Sequence, residues 1–113
     1  MNRDAIHLVD IVKSAHRIRD YVSGTSRLDF LENTQLQDSV IRRLEIIGEA
    51  AGRVSPEFRD ENPGIPWSKM KGMRNWMIHR YDDIDMDVVW ETVERDIPGL
   101  IGQLESLLSD QQS

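Results

Sequence analysis

Residues 74–81, Arg74-Asn75-Trp76-Met77-Ile78-His79-Arg80-Tyr81, gather an arginine, an asparagine, a histidine and a tyrosine within about two helical turns. Each type has a role on a phosphate ester. Histidine, which titrates nearest neutrality, can move a proton to or from a ribose hydroxyl or a leaving oxygen. Arginine offers a permanent fork of donors that matches phosphate oxygens and stabilises charge building on phosphorus. Asparagine can fix the imidazole tautomer or hold the phosphate, and tyrosine offers a hydroxyl that binds substrate or receives a modification. Arginine, histidine and tyrosine without a carboxylate cluster suit metal-independent RNA cleavage, in which the neighbouring 2′-hydroxyl attacks phosphorus.

The surrounding charge favours an anionic substrate. From Asn62 to Tyr81 there is no acidic residue, whereas Lys69, Lys71, Arg74 and Arg80 are cationic, in a chain with 20 acidic and 14 basic residues. Spacing sets a condition on the chemistry. Asn75 and His79 share a helical face, and Arg74 and Tyr81 lie nearly in line on an adjacent one. Arg74 and His79 are offset by about 140° on an ideal helix. They converge only if the arginine curls round, the helix ends near His79, or a second subunit supplies the missing half. A pair of such helices across a two-fold axis meets that condition best. From spacing alone, a capped and solvated helix terminus accounts for the same residues, since histidine and arginine suit the carbonyl end of a helix.

The elements that must position these residues are helical throughout. Ala5, Leu8, Ile11, Val12, Ala15, Ile18 and Val22 recur at three- and four-residue intervals, predicting a helix over 2–22 that Gly24 ends in a left-handed conformation. Leu28, Phe30 and Leu31 mark a short helical turn. A second long helix over 34–54 carries the stripe Leu36, Val40, Leu44, Ile47, Ala51 and Val54. Gly48 and Gly52 inside it cost up to about 1 kcal/mol each against alanine, so they need a reason: close approach of another helix, or for Gly52 a helix weakening near its end. Ser55-Pro56-Glu57 starts a short helix, Pro63-Gly64-Ile65-Pro66 is a rigid connector, and Pro66 opens the helix bearing the 74–81 stretch. Asp85 caps a last pattern of Met86, Val89, Val93, Ile97, Leu100, Leu104 and Leu107, which Pro98 should kink or split. Residues 109–113 form a polar tail expected to fray. The result is an all-α, up-and-down bundle of four to five helices.

A chain of 113 residues is expected to form a single domain, 1–113, with a core large enough to need no disulfide or metal. The absence of cysteine excludes disulfides and thiolate chemistry, and fits a cytoplasmic protein. The N-terminus lacks the apolar run of a signal peptide, and the longest uncharged run, Ile97 to Leu104, is far short of a membrane span. A net charge of −6 argues against general coating of nucleic acid, yet leaves room for a small basic cleft. No exposed basic recognition helix points to DNA.

Other candidate groups have plainer explanations. His7 and His16 lie nine apart on opposite faces and do not chelate one metal. Asp82, Asp83, Asp85 and Asp87 lack the glycine and terminal glutamate of a calcium loop, so capping and solvation explain them. Glu49 reads as a polar residue at a helix contact, with a role in holding Arg74 or Arg80 as the lesser alternative. Trp67 and Trp90 fit core or dimer packing, whereas Trp76 beside the motif is open to packing or base stacking.

The pattern Arg74-Asn75-x-x-x-His79-x-Tyr81 resembles the Arg-x(4–6)-His motif of the HEPN superfamily, in the Arg-x-x-x-x-His-x-Tyr form of HepT-like toxins. The run from Arg43 to Ala51, Pro63-Gly64-Ile65-Pro66-Trp67, Met73-Arg74-Asn75, Val89-Trp90-Glu91-Thr92-Val93 and Asp96-Ile97-Pro98 fit the same family in order, so the resemblance spans about residues 5 to 108. One departure is Arg80, where a small residue often sits. The resemblance implies a homodimeric bundle whose motif helices line a shared cleft, and a metal-independent endoribonuclease toxin acting on RNA, tRNA among the candidates. Arg74 and His79 would be catalytic, Asn75 supporting, and Lys71 and Arg80 substrate-binding. It also implies a type VII-like system, in which a minimal nucleotidyltransferase antitoxin of the MntA kind silences the toxin by transferring AMP to Tyr81. Neither metal nor cofactor is implied. The alternative is a non-catalytic helical module that binds a nucleotide or docks on a nucleotidyltransferase.

Overall fold

A computed structural model describes the backbone of residues 3–80 and 82–112 and the side chains of 3–80 and 82–110. Among the described residues seven helices follow in order: α1 (Arg3–Val22), α2 (Arg27–Glu32), α3 (Thr34–Arg53), α4 (Pro56–Glu61), α5 (Trp67–His79), α6 (Met86–Arg95) and α7 (Ile97–Gln112). Five are long, and α2 and α4 have six residues each, so the all-α bundle expected from periodicity is the observed architecture.

Local signals set the boundaries. Gly24 takes φ +75, the left-handed conformation that stops α1. Ser26, Asn33, Ser55 and Asp85 each accept a backbone N–H in the first turn of α2, α3, α4 and α6. The chain breaks between α6 and α7 at Asp96, and Pro98 then falls in the first turn of α7, where its missing N–H costs no helical bond. The expected stripe through Pro98 is therefore two helices. The polar end, expected to fray, continues α7 to Gln112.

α3 is the axis of the bundle, packed along α1 on one side and α5 on the other, and α1 also packs on α7. Leu8, Ile11, Ala15 and Ile18 of α1 meet Val40, Leu44, Ile47 and Ala51 of α3 in one core that extends to Met70 and Met77 of α5 and to Val89, Val93, Ile97 and Leu104. Each fully buried leucine or isoleucine contributes about 1.5–3 kcal/mol. Trp90 is buried with its ring 5.2 Å from Phe30, and Trp67 is buried edge-on to Phe58, so both expected core tryptophans are core. The Trp67 indole N–H also donates to the Asn62 carbonyl at 2.9 Å, fixing where α5 begins.

Two polar devices hold the short helices. Buried Gln37 donates through its amide to the carbonyls of Phe30 and Leu31, satisfying the open end of α2. The Asp4 carboxylate accepts both the Ser55 backbone N–H and the Ser55 hydroxyl, each at 2.8 Å, tying the start of α1 to the cap of α4. Ser55→Ala removes that hydroxyl and the cap on Phe58 together, and should lower unfolding free energy by about 1–2 kcal/mol in urea titration.

Candidate active site

The charged stretch falls on α5, and a glycine on the neighbouring helix decides how it is held. A Cβ added to Gly48 would lie 2.4 Å from Cβ of Arg74 and 2.6 Å from the Met70 carbonyl oxygen. No side chain fits there, so the close approach expected for Gly48 is the observed contact. Gly52 is different: an added Cβ would meet only the Lys71 stem, at 3.7 Å or more. Its glycine is not needed sterically, in keeping with the alternative of a helix weakening near its end.

The contact presses the root of Arg74 against α3 and leaves the side chain half-buried. Its Nη1 donates to the Asn75 Oδ1 at 3.5 Å, a long bond that joins the two polar residues at the edge of a groove. That groove has a volume of about 310 Å³, lies between α3 and α5, and is lined by Gly48, Glu49, Gly52, Arg53, Lys71, Arg74 and Asn75. Three of the expected site residues, Lys71, Arg74 and Asn75, are thus brought together.

His79 is not in that groove. It is exposed and is the last residue of α5, which stays α-helical to that point. The offset of about 140° from Arg74 therefore persists in the fold. Among the described residues no hydrogen bond joins the two. Exposed Arg80 caps the helix with φ −129, its N–H donating to the Trp76 carbonyl at 3.1 Å. Tyr81 lies outside the described residues. Trp76 is half-buried against the core, which favours its packing role.

The electrostatics sort the cations. Lys69 pairs at 3.0 Å with Asp96 at the α6–α7 junction, so it anchors α5. Among the described residues no ion pair engages Lys71, Arg74 or Arg80. Two acids of the run after the motif are occupied elsewhere: Asp85 caps α6 and Asp87 pairs with Arg27 of α2. No group of three or more His, Cys, Asp or Glu among the described residues is arranged to hold a metal ion. His16 bridges Arg19 and Glu105 on the outer surface, as expected of a surface histidine. Glu49 pairs with Arg53 at 2.7 Å rather than with Arg74 or Arg80. Arg53 is the groove residue that sequence reasoning missed; its i,i+4 spacing to Glu49 and its place after Gly52 were the available signals.

A family model described as Ribonuclease HepT-like matches residues 11–107. This chain belongs to that family. It is 41% identical over 101 residues to a Thermococcus cleftensis protein named "Probable ribonuclease HepT", covering 89% of this chain and 92% of that one. It is 37% identical over 98 residues to a candidate RNase of Methanocaldococcus jannaschii, covering 87% and 90%. A candidate RNase of Caldanaerobacter subterraneus subsp. tengcongensis is 33% identical over 106 residues, covering 94% and 95%. No solved structure gives a significant match. The all-α fold and the HepT-like resemblance therefore stand together.

If the glycine contact positions the site, Gly48→Ala must force α5 off α3. It should lower stability by about 1–3 kcal/mol, as overpacking does, whereas Gly52→Ala should be neutral or stabilising by up to about 1 kcal/mol. Paired denaturant titrations of the two variants check this.

Proposed function

We propose that this HepT-like chain is a metal-independent endoribonuclease, the toxin of a two-component system, working as a homodimer. The observation that carries the reading is the meeting of Arg74, Asn75 and Lys71 on an open, cationic groove, with His79 on the same helix beyond it. The family supports RNA as the substrate class, and tRNA is one substrate to test.

In this reading Arg74 holds the non-bridging oxygens of the scissile phosphate, and Asn75 steadies the guanidinium through its side-chain carbonyl. His79 serves as acid or base. The ribose 2′-hydroxyl gives up its proton and attacks phosphorus, forming the O2′–P bond. The P–O5′ bond breaks, and the departing 5′-oxygen takes a proton. The products are a 2′,3′-cyclic phosphate and a 5′-hydroxyl, with no oxidant or metal required. Lys71 and Arg80 bind flanking phosphate. Since Arg74 and His79 of one helix diverge, a second copy facing the first across a two-fold axis would complete the cleft.

Silencing belongs to the same reading. A minimal nucleotidyltransferase antitoxin of the MntA kind would transfer AMP to Tyr81, two residues beyond His79. The added phosphate would place negative charge beside the cations and fill the cleft, repelling RNA.

The test is cleavage of total RNA and tRNA by purified protein without added metal. Wild type should give products ending in cyclic phosphate, and His79→Ala should lose about 10²–10⁴-fold in rate with its helical circular dichroism unchanged. Equal cleavage by the two proteins sinks the assignment. No cleavage by folded, dimeric wild type, alongside tight nucleotide binding, favours the non-catalytic module.

A further inference from the structure

The groove beside Arg74 holds more charge than one phosphate needs. Among its lining side chains are three cations, Arg53, Lys71 and Arg74, against a single carboxylate, Glu49. This is a local excess of positive charge on a chain of net −6. We propose that Arg53 and Lys71 form a second phosphate subsite, taking the phosphate next to the one at Arg74, and that Glu49 occupies Arg53 until RNA arrives. The inference rests on the proposed ribonuclease reading of Arg74 and extends it to how the strand is held.

Three observations carry it. First, the Lys71 stem runs over the bare backbone of Gly52, with Cγ, Cδ and Cε 3.7–3.9 Å from where a Cβ would be. The stem is thereby laid along α3 and the ammonium is kept at the groove. Second, Lys71 and Arg74 are one turn apart on the same wall, separated by about 4.5 Å along the axis. Their long side chains can therefore take successive phosphates of one strand. Third, Arg53 enters from the opposite helix, and its Glu49 partner sits at 2.7 Å with side-chain exposures of 63% for Arg53 and 42% for Glu49. A pair so exposed is weakly held. A phosphate offers the guanidinium a bidentate, charge-assisted contact and can displace the carboxylate. A cationic groove with backbone walls and a displaceable guard tracks a single strand through its charge.

The experiment measures binding of a fluorescent pentaribonucleotide by anisotropy, using the full chain carrying His79→Ala so that RNA stays intact, across a salt series. Each phosphate contact on a single strand contributes a slope of about 0.7 in log affinity against log salt. Arg53→Gln and Lys71→Gln should each flatten the slope by about that amount and weaken binding roughly tenfold at low salt. Glu49→Gln should tighten binding several-fold by freeing Arg53. All three positions are surface-accessible, and circular dichroism verifies folding. Slopes unchanged in Arg53→Gln and Lys71→Gln, while Arg74→Gln flattens, overturn the second subsite and leave the Arg74 reading standing. Slopes unchanged in all three overturn both, because phosphate then does not enter this groove. Affinity unchanged in Glu49→Gln overturns the guard.

Discussion

The contact of Gly48 with Arg74 and Met70 is the constraint on which the site depends. Two helices can approach this closely only where one of them lacks a side chain, since an added Cβ at Gly48 would overlap α5. A glycine inside a helix weakens it by up to about 1 kcal/mol, and the long core stripe of α3, from Val40 through Ala51, more than offsets that cost. In return the aliphatic root of Arg74 is pinned between helices while its charged end reaches the groove. A guanidinium held this way loses little further freedom when it binds an anion, so affinity is not spent on ordering the side chain.

Charge placement follows from the same packing. α5 carries four of the chain's cations with its C-cap residue included, and the sequence from Asn62 to Tyr81 holds no acid. One, Lys69, is engaged by Asp96 and binds α5 to the α6–α7 junction. Such a pair is worth at most about 1 kcal/mol, but it acts where α5 has its lightest packing, away from α3. Acids elsewhere on the chain are spent on caps, on pairs such as Asp87 with Arg27, and on solvent. At physiological salt, charges beyond about 8 Å are largely screened, so the net charge of −6 does not cancel a groove whose cations are near neighbours.

Much of the fold was legible because its signals are local. Three- and four-residue periodicity marked the long helices, and Ser55, Asp85 and Gly24 marked their ends with the capping and left-handed chemistry they use in the structure. Gly48 was legible as an anomaly, since a glycine in a strong helix asks for a neighbour. Which neighbour it meets depends on antiparallel register between α3 and α5, which no local pattern encodes. For the same reason Arg53 was invisible as a groove residue: it lies more than twenty positions from Arg74, and the two line one groove only through that register. The local charge pattern does not separate Lys69 from Lys71, although Lys71 was the one expected to bind substrate. Their difference arises from the break at Asp96, which puts a carboxylate within reach of one lysine and not the other.

On the proposed reading, the geometry of α5 keeps the two reacting groups apart within one copy of the chain. An α-helix that stays regular through His79 keeps that ring about 140° around the axis from Arg74. Unwinding a turn would bring them together, but the Arg80 N–H closes the last turn on Trp76 and the helix is intact to its final residue. Curling the arginine round would take its guanidinium out of the groove between α3 and α5 that it lines. Of the three ways the two groups can share a substrate, a second copy is the one that asks the fold to give up nothing. It needs only that the exposed end of α5, where His79 and Arg80 stand free of the core, face its own image. On the proposed reading, the catalytic requirement and the packing constraint then point to the same assembly. The groove proposed to grip RNA would lie within each copy, and the histidine proposed to move the proton would be offered at the edge between them.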